Sequence, residues 1–270
     1  MHSSDLQVRP AAVAGRFYAG ERAELAANID ALLAAAPAAS GPRPKALIVP
    51  HAGYVYSGPI AASAYKQLMA MTPKPRRVVL LGPAHTVAFR GLALPGVDAL
   101  ATPLGHVRVD AEDVKIAGAL PQVLRSSEAH AREHSLEVQL PFLQRVLGDD
   151  FTLVPLVVGH ASAAEVAGVL DALWGDDDTL IVISTDLSHF LSYGDAQALD
   201  AATARQILGL DETLEPEQAC GAYAVRGFLQ AARRRRLAPR MLDLRNSGDT
   251  AGDRRRVVGY AAFAFSREAA

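Results

Sequence analysis

Four stretches of this chain are almost nothing but aliphatic residues: "KALIVP" (45–50), "RRVVLLGP" (76–83), "FTLVPLVVG" (151–159) and "TLIVIST" (179–185). A strand with one wet face alternates apolar and polar residues. A strand without that alternation must be covered on both faces, which requires helices on either side of a largely parallel sheet. The segments between these runs supply the helices. In "ERAELAANIDALLAAA", Leu25, Ile29, Leu32 and Leu33 fall on one helical face. "GPIAASAYKQLMA" predicts a helix with Pro59 in its first turn. "AEDVKIAGAL", "LEVQLPFLQRVL" and "SAAEVAGVLDALWG" predict further helices, as do residues 195–209 and 217–232. "RMLDLRNS" and "RRVVGYAAFAFS" read as closing strands around a turn-rich "GDTAGD". The Pro/Gly segment "PAASGPRP" is too short and too early to divide domains, and no internal repeat is visible. The expectation is one α/β domain over residues 1–270, a central mixed sheet flanked by helices.

Composition narrows the function classes. The 27 Lys and Arg residues nearly balance the 29 Asp and Glu residues, so no global field favours nucleic acid or an acidic membrane surface. The runs Arg233–Arg236 and Arg254–Arg256 read as solvated helix-end and turn charge. With Cys220 as the single cysteine, an intramolecular disulfide is impossible. That, with no basic-then-apolar leader in "MHSSDLQVRPAAVAGRFYAG" and no apolar run near the ~20 residues of a membrane helix, leads to the expectation of a soluble cytoplasmic protein. P-loop, G-x-G-x-x-G, G-x-S-x-G and H-E-x-x-H motifs are all absent, so nucleotide binding and Ser-triad hydrolysis have no support.

The residues just past each predicted strand carry the chemistry. His51 comes after "ALIVP", His85 comes one residue after "VVLLGP", His160 comes after "LVPLVVG", and Asp186 and His189 come after "LIVIST". Ligands of open α/β sheets bind beyond the carboxyl ends of strands. Each of these histidines taken singly reads as an ordinary hydrogen-bonded residue; together, His51 and His85 point to a metal or catalytic site. His160 also reads as a loop residue leading into a helix. His2 and His106 have no context and read as surface residues, and His130 carries little signal. Converging imidazoles suit Fe(II), Zn(II) or Cu, and a catalytic site needs a third protein ligand, for which Asp186, His189 and Cys220 are candidates. Cys220, near a helix start, also reads as a small buried apolar residue. In "REHSLEVQLPF", His134 and Glu137 are three apart, and His134 reads as a pocket residue or as an ordinary helix-start residue. Tyr54 and Tyr56 are candidates for lining the cavity mouth, with core packing as the competing role.

The motifs "VPHAGYVYSGPIAASAY", "LLGPAH", "EHSLEVQLPFL", "STDLSH", "ACGAYAV" and "NSGDTAGDRRRVVGYAAF" occur in this order along nearly the whole chain. They resemble the Memo family, whose prokaryotic members are often labelled protein B of the AmmeMemoRadiSam system. The resemblance implies a fold similar to class III extradiol dioxygenases, with a metal-type pocket at one end of the sheet. It implies His51, His85 and Cys220 as metal ligands, with iron or copper as the expected ion and zinc as a further one, and Asp186 and His189 as pocket residues. A cysteine where the dioxygenases hold a carboxylate makes such a site softer. The resemblance also implies a functional link to a radical-SAM protein and an AMMECR-type protein. Three functions stand open: an iron-dependent oxidoreductase with His189 or His134 as acid/base and Asp186 orienting a histidine; a non-catalytic protein binding a metal, small molecule or peptide in the same pocket; and a zinc-assisted hydrolase.

Overall fold

The structure is a computed structural model that describes residues 6–267. The chain opens with β1 (Val8–Arg9), α1 (Arg22–Ala35), β2 (Ala46–Val49), α2 (Tyr54–Met69) and β3 (Arg77–Pro83). A run of short elements comes next: β4 (Leu92–Leu94), β5 (Ala99–Thr102), β6 (Gly105–Val109), α3 (Ala111–Gly118), β7 (Val123–Arg125) and α4 (Ser127–Ala131). A 3-10 turn (Glu137–Gln139) leads into α5 (Leu140–Leu147), then β8 (Thr152–Val158), α6 (Ala163–Leu173) and β9 (Thr179–Ser184). The last part holds β10 (His189–Leu191), α7 (Tyr193–Leu208), α8 (Ala222–Arg234), β11 (Leu237–Asn246), α9 (Ser247–Thr250) and β12 (Val257–Arg267).

The four aliphatic runs are the four central strands. They lie parallel in the order β8-β3-β9-β2, with β12 antiparallel to β2 on one side and β6, β5 and β1 beyond β8 on the other. Alternate residues of each strand enter different cores. Leu47, Val49, Val78, Leu80, Leu180 and Val182 pack with Leu25 and Ile29 of α1, Tyr65 of α2 and Phe142 of α5. Ile48, Val79, Leu81, Ile181 and Ile183 face the other way, onto Val166 and Leu170 of α6 and Phe228 of α8. Both faces are covered, which is why the strand sequences show no polar alternation.

The details depart from expectation in places. α2 begins at Tyr54, so Pro59 lies inside the helix rather than in its first turn. α8 begins at Ala222, five residues later than the sequence suggests. "LEVQLPFLQRVL" divides into the 3-10 turn and a helix with Pro141 at its start. The short strands β1, β4, β5, β6, β7 and β10 have too few residues to display a period. Among the described residues, no helix is long and apolar enough to cross a membrane.

Parallel pairing gathers the carboxyl ends of β2, β9 and β3 along one edge. β9 lies between the other two, so the residue after β2 and the residues after β3 reach toward each other across the end of β9. Gly82 in β3 lets a further segment in: a Cβ there would lie 2.8 Å from Ser135 Oγ. The missing side chain admits residues 133–136 against the strand end.

Candidate metal centre

His51 lies just past Pro50 at the end of β2 and is 1% exposed. Its amide donates to Asp186 Oδ1 (2.7 Å) and its ring Nδ1 lies 2.9 Å from Ser184 Oγ. Ser184 already donates its single proton to the Ser135 carbonyl (2.6 Å) and accepts from Gln139 Nε2 (2.8 Å). It can therefore only accept from His51, which puts the ring proton on Nδ1 and leaves a lone pair on Nε2. Burial, and then the neighbouring His85, His134 and His189, hold the imidazole well below its usual pKa, so it is neutral.

His85 is oriented by a carboxylate. Its amide donates to Glu133 Oε2 (2.6 Å) and its Nδ1 to Glu133 Oε1 (2.9 Å). Glu133 is buried and also accepts from the amides of His134 and Ser135, both at 2.9 Å. Burial opposes its charge, but the donors of His85 and Ser135 outweigh burial and hold the carboxyl down at about 2. An ionised carboxylate only accepts, so the His85 Nδ1 carries a proton and Nε2 is the nitrogen left for another partner.

His134 completes the group. Its ring stacks on that of His85 (centroids 4.6 Å apart, planes at 20°), and His51 stands edge-on to both, at 5.2 and 5.5 Å. One ligand atom from each of the three histidines lies within 4.8 Å of the other two, an arrangement that could hold a metal ion. Burial pushes the His134 pKa down, which favours the neutral, ligating form.

The other residues read from the sequence surround this group. Cys220 lies two residues before the start of α8; Gly221, whose Cβ would lie 2.7 Å from Thr185, brings it against the end of β9. Its Sγ lies 3.3 Å from His51 Nε2 and accepts from the Asp186 amide at 3.3 Å. Cys220 thus touches one of the three imidazoles without being part of the three-histidine group. Burial, and then the charge of Asp186, push its thiol up to about 12. Asp186 is buried, and that burial raises its carboxyl to about 7 against the hydrogen bonds from the amides of His51 and Ala52. His189 opens β10 and is exposed.

An open cavity of about 700 Å³ adjoins the group, with His134, Asp186, His189, Phe17, Tyr56 and Tyr260 among its walls. Tyr56 is at this cavity, whereas Tyr54 turns into the core, donates to the Val138 carbonyl (2.8 Å) and packs on Tyr18 and Phe142. His160 is exposed, pairs by a β-bridge with Arg90 and lies against Tyr223 instead of joining the group. His106 is exposed on β6, His130 is buried with its Nε2 on the Ala93 carbonyl (2.8 Å), and His2 lies outside the described residues. Sequence reasoning passed over Glu133 and Ser184. Their signals were present: a Glu directly before a His in "REHS", and a Ser ending an otherwise aliphatic strand.

Comparison with known proteins agrees with this architecture. The sequence model of a family described as "Memo-like protein" matches residues 9–264. A "MEMO1 family protein" of Aquifex aeolicus is 36% identical over 275 residues, covering 96% of this chain and all of the relative. One of the same description from Aeropyrum pernix is 36% identical over 279 residues, covering 95% and 99%. Among solved structures, an uncharacterized protein of Escherichia coli K12 superposes with a TM-score of 0.53 at 17% identity, covering 82% of this chain and 99% of that one; the likeness is one of fold.

Proposed function

The chain belongs to the Memo family, and from that premise we propose that it is a metal-dependent oxidoreductase of extradiol type, acting on a small organic molecule in the cavity beside its three histidines. One observation carries the reading. Three imidazoles converge, and those of His51 and His85 have the nitrogen facing away from the group committed to a hydrogen-bond partner. This donor set fits a borderline transition-metal ion, with His51, His85 and His134 as its ligands and Cys220 close enough to His51 to join or replace one of them. Bound iron would supply redox chemistry with dioxygen, and bound zinc would supply a Lewis acid.

The chain's own residues do the rest. Ser184 and Glu133 hold two rings in the ligating tautomer. Asp186, near neutrality and on the cavity wall, takes or gives a proton at its carboxyl oxygen. His189 faces the same space and serves as a second acid/base.

A zinc-assisted hydrolase is the second reading, favoured by the all-imidazole donor set, which is also that of a known zinc hydratase. Metal analysis of protein purified anaerobically without an affinity tag comes first, beside a His51→Ala/His85→Ala/His134→Ala variant and a separate Cys220→Ala variant. Near one equivalent of iron, absent from the triple variant, with oxygen uptake across a panel of phenols and catechols, supports the proposal. Zinc with anaerobic hydrolysis supports the second reading. Bound metal with no turnover of either kind makes the pocket a binding site only. No metal in the wild-type protein after reconstitution removes the metal centre altogether.

A further inference from the structure

The stretch "GDRRR" (252–256), which the sequence presents as solvated turn charge, borders the cavity. Gly252, Asp253, Arg255 and Arg256 all line it. The charges there do not cancel. Arg255 pairs with Asp253 (Nη2 to Oδ2, 2.7 Å), and Arg254 lies 4.0 Å from Asp249 and over the Tyr193 ring. Arg256 has no carboxylate within ion-pair distance among the described residues. Its guanidinium instead sits 5.1 Å from the centroid of Phe190.

Phe190, the ring against Arg256, is an unusual residue beside the cavity wall. It is 61% exposed, so it fills no core, and its backbone is held at φ 61°, a conformation a bulky side chain rarely adopts. Strain of this kind persists only where the surroundings over-determine it, and it clusters at ligand sites. Here it sets an aromatic face beneath an unpaired guanidinium. Aromatic side chains share those walls: Phe17, whose ring lies 4.7 Å from that of His134, with Tyr56 and Tyr260. His134 and His189 line the same cavity.

The cavity wall thus carries a guanidinium without a carboxylate partner, three aromatic rings and two imidazoles. We infer that the cavity takes a small aromatic monocarboxylate, its ring between Phe17, Tyr56 and Tyr260 and its carboxylate on the Arg256 guanidinium, with the reacting end toward the histidines. A planar guanidinium grips a carboxylate through two parallel hydrogen bonds. A single unpaired guanidinium matches one negative charge, and Asp253 and Asp186 on the same walls disfavour a dianion. About 700 Å³ is within the range that holds a one- or two-ring ligand. This substrate class belongs to the pocket proposed above and rests on reading that pocket as a small-molecule site.

Calorimetric titration with 3-phenylpropionate, 3-phenylpropionamide and butyrate tests it, on the full chain both after chelator treatment and after metal loading. The acid should bind at least tenfold more tightly than its neutral amide and than the ringless acid. Arg256→Gln, an exposed substitution, should bring the acid down to the affinity of the amide and leave the amide unchanged. Equal binding of acid and amide, an unaffected Arg256→Gln variant, or no binding of the acid at millimolar concentration would each overturn the inference. The two readings fail separately. Acid-selective binding by a chain that takes up no metal removes the metal centre and keeps the ligand class. Metal uptake without acid selectivity does the reverse.

Discussion

Glu133 and Glu137 stand four residues apart in "REHSLEVQL", and both are buried. Glu137 is engaged entirely by the chain's own start. It pairs with Arg9 and accepts from the amides of Ala12 (2.8 Å) and Val13 (3.0 Å) and from the Tyr18 hydroxyl (2.6 Å). Arg9 in turn donates to the carbonyls of His130 (2.8 Å) and Glu133 (2.6 Å). Every member of that clasp is satisfied within the fold. Glu133 gathers as many donors, but one of its partners, the His85 ring, keeps a second nitrogen that faces two other rings. A closed set of buried polar groups fixes the chain. The set around Glu133 instead leads to three imidazoles gathered beside an open cavity, where a ligand can be added.

Replacing Glu137 breaks the comparison most forcefully. Glu137→Gln leaves Arg9 buried without its counter-charge, and breaking a buried ion pair from one side costs about 3–5 kcal/mol. The urea unfolding midpoint should fall accordingly, while folded variant still binds metal at wild-type stoichiometry. A loss below about 1 kcal/mol would show that the clasp does not hold the segment. Glu133→Gln should reverse the emphasis, with metal affinity falling about 10–100-fold, the usual cost of losing a carboxylate behind a ligating histidine. The same variant has an acid signature in chelator-treated protein. The folded carboxyl lies at about 2, below its unfolded value, so its contribution is present above pH ~4.5 and lost as pH falls toward 2. Stability of wild type minus variant should therefore shrink across that window. An unchanged metal affinity would mean that the Glu133 bonds do not set the His85 ring.

The same pair shows what the sequence could convey. The four central strands were legible because burial on both faces leaves an unbroken aliphatic run, and parallel pairing then puts His51 and His85 at one edge. His134 comes after no strand. It arrives because Gly82 admits its segment and Glu133 binds its amide, and neither contact has a period or a spacing. Glu137 was the more conspicuous carboxylate at helical distance from His134, yet it points to Arg9, because a 3-10 turn and not an α-helix begins there. Arg256 read as ordinary turn charge because the strained Phe190 beneath it comes from another part of the chain.

Asp186 sharpens the comparison with the opposite sign. Its folded carboxyl lies at about 7, above the unfolded value of 3.8. The native state then holds a proton that the unfolded chain has lost, so this group withdraws stability as pH rises from about 4 to 7. Asp186→Asn keeps an acceptor for the amides of His51 and Ala52 and removes the titration. In chelator-treated protein, the variant should gain on the wild type by on the order of 1 kcal/mol per pH unit between about pH 5 and 7. Parallel pH–stability curves would place the Asp186 carboxyl outside that range and remove it as a proton carrier near neutrality.

The smallest expected effect on metal affinity isolates a tautomer. Ser184→Ala removes the acceptor of the His51 Nδ1 proton while Gln139 keeps the Pro50 carbonyl as a partner (2.9 Å). The hydroxyl makes three buried hydrogen bonds, so the cost in stability should be about 3 kcal/mol, about 1 kcal/mol for each, with metal affinity reduced by up to about tenfold. Ring nitrogen NMR of the metal-free protein reads the cause directly. Wild-type His51 should carry its proton on Nδ1 alone, and the variant should show a mixture, because only Ser184 forces the choice. A pure Nδ1–H form in the variant would mean that Cys220, donating its S–H to Nε2 across 3.3 Å, fixes the tautomer by itself. The thiol would then be the group that holds the His51 lone pair in waiting, and Cys220→Ala would be the substitution that releases it.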